Sequence, residues 1–469
     1  MQMNAKAHPY MPSSGGDAKR EMLNAIGLKD IKQLFDQIPE SHRISKSLTL
    51  PNQLDSEVEL KRHLLSVLKK NSDCEANLNF LGAGCWQHHV PSICDEITGR
   101  TEFLTNVWGT PSSDHGRNQA LFEFSSQLGE LLKLDMVGLP VYSYGCAAGH
   151  AIRMSARITG RREVLIPRII DPERLAVIKN YCEPPDMSNH IRIQQLSCDQ
   201  QTGLIDLDDL EEKLSDQIAA VYFEVPSYFG LIEENGNAVA QLAARYGAET
   251  IVGCDPISLG ILKSPADYGA NIVVGPVQPL GIHMNCGGGV SGFIASNDQE
   301  KYVSEYNTLN ISITDTVGDK QYGFGLSCAG QTSYGLREDG KDWTGNSTYL
   351  WAIAGAVYMG LLGPAGFREV GELIVQQSTY AAKMLSEIEG LSVMFDGSIF
   401  KEFVLNFDQI GHSVDEVNRK LRERNIFGGK DLTAEFPEFG QTALYCVTEI
   451  HNAQDIEYLV SQLKEVIVS

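Results

Sequence analysis

Chemistry in this chain would have to come from a few places. The first is SYGCAAGHA, Ser143 to Ala151, where a strand-like run ends, a glycine turns the chain and a helix begins. Unpaired N–H groups and the helix dipole make such a junction an anion site, with Ser143, Gly145 and Cys146 at its mouth. No Gly-Lys-Ser/Thr follows, so it is not a P-loop. Neither this run nor LGAGC at 81–85 has the G-x-G-x-x-G spacing of a dinucleotide loop. The second place is Asp255, which closes the strand-like ETIVGCD. An acid there either holds the protonated ring nitrogen of a cofactor or caps the turn that follows. The third is GANIVVGPVQPLGIHMNCGGG, Gly269 to Gly289, a buried-strand pattern running into a glycine-rich loop that carries Pro279, His283 and Cys286. A His–Cys nucleophile pair can be imagined there, but a spacing of three in a loop gives it little support. No lysine occurs between Lys263 and Lys301. His88 and His89 are adjacent and point apart on any regular element, so a loop or core role is expected for them rather than a shared metal. H-E-x-x-H, G-x-S-x-G and C-x-x-C are all absent, which removes the main support for zincin, α/β-hydrolase and zinc-finger chemistry.

The elements that must position these residues alternate between about 130 and 300. Strand-like MVGLPVYSYG, EVLIP, IRIQQLS, IAAVYFEVP, ETIVGCD, ANIVVG and GVSGFIAS are interleaved with helix-like CAAGHAIRMSARITG, DPERLAVIKNYC, DLDDLEEKLS and AVAQLAARYG. Short β-branched runs between helices of about ten residues predict an α/β fold with a mainly parallel sheet covered on both faces. Before it, DAKREMLNAIG, DIKQLFDQIP and DSEVELKRHLLSVLKKN predict an N-terminal helical arm over 1–75. The large α/β domain is expected over 76–345. A linking helix and a small C-terminal α+β domain are expected over 346–469, built from LSVMF, EFVLNF and ALYCVTE with helices between and after them.

Bulk properties exclude several classes. The chain of 469 residues carries 38 Lys and Arg against 60 Asp and Glu, a formal charge of −22 without a basic block, so nucleic acid and anionic membranes are poor partners. Ten cysteines scattered singly fit buried thiols in a reducing cytoplasm. MQMNAKAHPYMPSSGG lacks the apolar core of a secretion signal, so the sequons at Asn310 and Asn346 are expected to be chance matches. The uncharged stretch Gly345 to Phe367 is long enough to span a bilayer. Its Gly and Ala content, Pro364 and lack of flanking anchors predict a buried core helix instead.

Longer motifs carry a family resemblance. YMPSSGGDAKREMLNAIGLKDIKQLFDQIP, NFLGAGCWQHHVPSICDEITGRTEFLT, VPSYFGLIEE, DPISLGILKSPADYGANIVVG, LLGPAGFREVGEL and FPEFGQTALYCVTE resemble the decarboxylating glycine dehydrogenase P-protein, in particular its separate N-terminal subunit. The resemblance runs from about residue 9 to the C-terminus. It implies a fold-type-I pyridoxal-phosphate (PLP) transferase architecture and a heterotetramer of two subunit types. PLP and its Schiff-base lysine would sit on the second subunit, not covalently on this chain. In the lysine-bearing subunit this strand end leads to His-Lys-Thr, and laying GANIVVGPVQPLGI on that pattern puts Pro279 in the lysine's place. The resemblance thus implies no catalytic or metal-binding residue of this chain's own, and a degenerate pocket drawn from Ser143, Gly145, Cys146, Asp255, Pro279 and His283. The implied activity is decarboxylation of glycine with transfer of the aminomethyl group to the lipoyl arm of H-protein. The chain departs from the family pattern over Asn106–Gln119, over the run containing Ser143–Ala151, and over Leu336–Thr348. Two alternatives stay open: a paralogue paired with a similar PLP-bearing partner on another amino acid or amine, and a non-catalytic structural or regulatory subunit.

Overall fold

A computed structural model describes residues 10–11, 13–44, 46, 48–104, 111–184, 186–288, 290–308, 310–327, 336, 340–342, 344 and 348–468, with main chain alone over 111–116. Much of the divergent Asn106–Gln119 and Leu336–Thr348 segments, the sequon residue Asn346 and Gly289 therefore lie outside the described residues. The chain divides into two compact units, Met1–Ser72 and Asp73–Ser469.

The first unit is a helical arm. Helix α1 spans Gly16–Ala25 and α2 spans Glu57–Leu68, with a short 3-10 turn at Ile31–Phe35 between them. Ser56 caps α2 by accepting the Glu59 N–H at 3.1 Å, and Asp30 and Gln33 form a reciprocal capping box. None of these elements contains a buried residue, so among the described residues the arm builds no core of its own.

The second unit opens with β1 (Leu78–Asn79), α3 (Ser92–Thr98), α4 (Pro111–Leu132) and β2 (Met136–Val137). Then come α5 (Tyr144–Thr159), β3 (Glu163–Pro167), α6 (Pro172–Cys182), β4 (Arg192–Leu196), α7 (Leu207–Lys213), β5 (Ile218–Val225), α8 (Gly236–Arg245), β6 (Glu249–Cys254), β7 (Ile272–Pro276) and β8 (Gly292–Ser296). They form a seven-stranded sheet in the order β2-β8-β7-β6-β5-β3-β4. The strands from β7 to β4 are parallel; β8 runs antiparallel to β7, and the edge strand β2, antiparallel to β8, points the same way as the parallel set. Every residue of β5 and β6 is buried, which is why they read as unbroken apolar runs. The expected strand MVGLPVYSYG shrinks to Met136–Val137 plus a single bridge at Val141. Pro140 lies between them and has no N–H to give to a ladder.

Helix α5 packs against both α6 and the sheet because its buried face is small. Gly145 lies against Val177 and Gly149 against Tyr181, so close that an added carbon would come within about 3.0 Å of the neighbouring side chain. Helix α6 has Asp171 as its cap and Pro172 at its first position.

After a short helix, α9 (Glu300–Val303), and an antiparallel hairpin, β9 (Asn310–Asp315) and β10 (Tyr322–Ser327), the chain enters α10, Tyr349–Ser386. The core helix expected within Gly345–Phe367 forms its first part, and the chain kinks at Gly363, whose φ of 56° and ψ of −177° break the helix just before Pro364. By length and composition α10 could cross a membrane, the one described helix that could. In the fold its residues Ala352–Ala356, Tyr358 and Met359 are buried, and it packs on α3 and α4.

The C-terminal part of the second unit consists of β11 (Ser392–Val393), β12 (Glu402–Asn406), α11 (Val414–Arg422), β13 (Ile426–Phe427), β14 (Lys430–Asp431), β15 (Thr442–Cys446) and α12 (Ala453–Val468). Its sheet runs β11-β12-β15-β14, all antiparallel, while β13 pairs with β1 from the start of the unit. Aromatic packing joins it to the seven-stranded sheet: Phe229, which follows β5, lies 4.9 Å from Phe436 and 5.7 Å from Phe395, ring centre to ring centre.

Candidate functional site

Parallel α/β sheets bind ligands beyond the carboxyl ends of their strands. In this chain that region is walled by the ends of β5 and β6, the starts of α5 and α6, the Gly84–Trp86 loop and, from the small domain, Phe400–Lys401–Glu402. Two buried ion pairs fill it.

The first pair is Asp255 with Lys401. Asp255 sits just past β6 and uses its two oxygens differently. Oδ1 accepts the Ile257 N–H at 3.0 Å and so caps the next turn; Oδ2 accepts from Lys401 Nζ at 2.5 Å. Both readings of this acid from sequence, cap and partner of a cation, are thus met at once, but the cation is the chain's own. Lys401 is only 1% exposed. Its other donors meet His88 Nε2 at 2.8 Å and the face of Trp86, 4.0 Å from the ring centre. Because the ammonium donates to Nε2, the ring proton of neutral His88 lies on Nδ1 and is donated to Glu449 Oε2 at 2.7 Å. Every N–H of the buried ammonium therefore has a partner, which is the condition for holding a charge away from water.

The second pair is Arg174 of α6 with Glu224 of β5. Arg174 Nη1 donates to both carboxylate oxygens at 2.8 Å, and Tyr222 adds its hydroxyl to Oε1 at 2.5 Å. The guanidinium carbon lies 3.9 Å above the centre of the Tyr144 ring. Burial pushes the Glu224 carboxyl up, and Arg174 and Tyr222 oppose it. Burial alone would lower Arg174; Glu224 and Asp171 more than offset that, and the guanidinium stays charged.

Between the pairs lies Glu402, first residue of β12. Burial pushes its carboxyl up to about 7, opposed by the Ala83 N–H that it accepts at 2.6 Å. The turn before it is strained: Lys401 has φ +69°, and the Glu402 N–H reaches the Phe400 carbonyl at 2.7 Å, the marks of a tight γ-turn of the rare hand. Cys85, beside this cluster, is pushed up to about 11 by burial, so it is a thiol and not a nucleophile at neutral pH.

Of the residues singled out in the sequence, Asp255 lines the cavity. Ser143 caps α5, accepting the Cys146 N–H at 3.2 Å, and it is the next residue, Tyr144, that reaches the cavity wall. Gly145 faces α6, and the Cys146 sulfur takes a hydrogen bond from Tyr181 at 3.6 Å. Pro279 lies in a buried turn after β7, pinned by Gln278, whose side chain donates to the Trp86 and Ile282 carbonyls at 2.8 and 3.1 Å. His283 is largely exposed and pairs with Asp95 at 3.0 Å; Cys286 is exposed. None of these last five is among the residues lining the cavity. Lys401, Arg174 and Glu224 escaped the sequence reading. Their signal was a charge inside an apolar run: Lys in SIFKEFVL, Glu in AAVYFEVP.

PLP would require room for a ring and a phosphate. The side chains leave about 20 Å³, space for a water or two. Lys401 stands on the oxygen of Asp255 that a pyridinium would need, and Arg174 covers the face of Tyr144. The residues present do not fit the cofactor.

Comparison with known proteins places this arrangement in context. Residues 8–463 match the family described as glycine cleavage system P-protein. A relative from Staphylothermus marinus named probable glycine dehydrogenase (decarboxylating) subunit 1 is 37% identical, over 98% of both chains. One of the same name from Saccharolobus islandicus is 35% identical, again over 98% of each. A crystal structure of glycine decarboxylase (P-protein) in inhibitor-bound form superposes with a TM-score of 0.82 at 29% identity, covering 98% of this chain and all of the other. A sphingosine-1-phosphate lyase from Burkholderia pseudomallei shares the fold, with a TM-score of 0.64 at 15% identity over 92% and 94% of the two chains. The architecture is that of the fold-type-I PLP-dependent transferases, as the family resemblance implies. End to end, the chain belongs to the glycine cleavage system P-protein family.

Proposed function

We propose that this chain is subunit 1 of a two-subunit P-protein. It acts with a second, PLP-bearing subunit in the cytoplasm, in a heterotetramer, to decarboxylate glycine and pass the aminomethyl group to the lipoyl arm of H-protein. The observation that carries the reading is the site itself: the acid at the end of β6 is kept, but the chain's own Lys401 and Arg174 occupy the space around it. A chain with that interior needs its cofactor elsewhere, and relatives of matching length carry the name subunit 1. In this reading Pro279 stands at the strand end where the partner carries its lysine.

The test is reconstitution. The purified chain with added PLP is expected to give no exchange between bicarbonate and the glycine carboxyl; adding the second subunit and lipoylated H-protein is expected to restore it. Exchange by the chain alone would refute the proposal, as would none with a partner that is active beside another subunit 1. The filled cavity also favours a second reading, a purely structural or regulatory subunit. That reading expects the partner by itself to keep full turnover.

A further inference from the structure

We propose that Lys401 is a built-in counter-ion. It supplies from the small domain the cation that Asp255 holds, it closes the strand-end cavity to any organic cofactor, and its removal would leave a site for a small alkylammonium ion. Geometry carries this. The ammonium has three donors and three matched acceptors on two segments, Asp255 after β6 and the Trp86–His88 loop: the Asp255 carboxylate at 2.5 Å, the His88 imidazole at 2.8 Å and the Trp86 face at 4.0 Å. His88 is oriented in turn by Glu449 at 2.7 Å. The side chain is delivered on a turn with φ +69° at Lys401 itself, a conformation that a lysine adopts at a cost and that persists only where its surroundings impose it. A surface lysine needs none of this. The cage is specific for a primary ammonium: one carboxylate, one neutral ring nitrogen and one π face, in a space matched to a four-carbon stem.

The inference concerns this chain's own residues and holds whether or not glycine is the substrate. Three measurements on the full-length chain test it. First, wild-type protein incubated with PLP and reduced with borohydride is expected to show no aldimine absorbance and no adduct on Lys401; a reduced adduct mapped to Lys401 would overturn the proposal. Second, Lys401→Gly removes the amine while suiting the positive φ. Its thermal midpoint is expected to fall, then to rise saturably with n-butylammonium but not with n-butanol or sodium at equal concentration. Equal response to the alcohol would make Lys401 mere filler and refute the claim. Third, should Lys401→Gly not fold, the double variant Asp255→Asn/Lys401→Met is decisive. It is expected to lose less midpoint than the two single changes added together, because each single change strands one buried charge. Strict additivity would overturn the proposal.

Discussion

Glu402→Gln should change how the stability of this protein responds to pH, and the size of the change follows from the site. Glu402 is fully enclosed between the Gly82–Ala83 main chain and the Asp255–Lys401 pair. Burial raises its carboxyl from 4.5 to about 7; Asp255 adds to the rise, while the Ala83 N–H and Lys401 oppose it. In the unfolded chain the group loses its proton around 4.5, whereas the folded chain holds it until about 7. The folded pKa is the higher one for an acid, so folding takes up a proton between these values. Stability therefore falls as pH rises through that window and levels off above it. At about 1.36 kcal/mol per pH unit, the interval corresponds to about 3 kcal/mol. Glutamine has the same shape, keeps an oxygen for Ala83 and does not titrate. The variant and the wild type should be equally stable near pH 4.5, and the variant should lead by about 3 kcal/mol from pH 7.5 upward. Urea midpoints of the two proteins, taken in parallel across that range, cancel the other titrating groups in the difference. A pH-independent difference, or a variant less stable at pH 7.5, would refute the argument that burial keeps this carboxyl neutral.

Two further outcomes are expected. Arg174→Met leaves Glu224 buried with Tyr222 as its remaining donor and should cost about 3–5 kcal/mol by denaturant titration; adding Glu224→Gln should recover much of it, since no charge is then stranded. Gly230→Ala places a carbon 1.9 Å from the Glu402 carbonyl oxygen at φ +79°, and its thermal midpoint should fall well below that of Gly160→Ala, where φ is +71° but nothing lies within 4 Å and only the roughly 1 kcal/mol backbone term applies.

Much of the fold could be read from the chain because parallel strands buried on both faces leave an unmistakable pattern. ETIVGC and IAAVYFEV became β6 and β5 with every residue buried. The core helix expected within Gly345–Phe367 is there, but it continues to Ser386 as α10, with one kink at Gly363 ahead of Pro364. Asp255 was legible because a strand end fixes where its side chain goes. Its partner was not. Lys401 lies 146 residues further on, just before β12 of a different sheet, and no local pattern encodes which strand end it will meet. The spacing of His283 and Cys286 carries little weight because a loop has no fixed period, and the structure leaves both at the surface.

The Lys401–Asp255 pair also constrains the history this chain can have. A descendant that regained a cofactor would have to clear the cavity first, yet losing Lys401 alone strands a carboxylate, and losing Asp255 alone strands an ammonium. An amine restored beside β7 while Lys401 is in place would find no room to act. Each single step lowers stability before any benefit arrives, so the way back to an independent enzyme is blocked by intermediates rather than by the number of changes. In the two-subunit reading proposed above, that pair makes dependence on another chain a state that single substitutions do not easily undo.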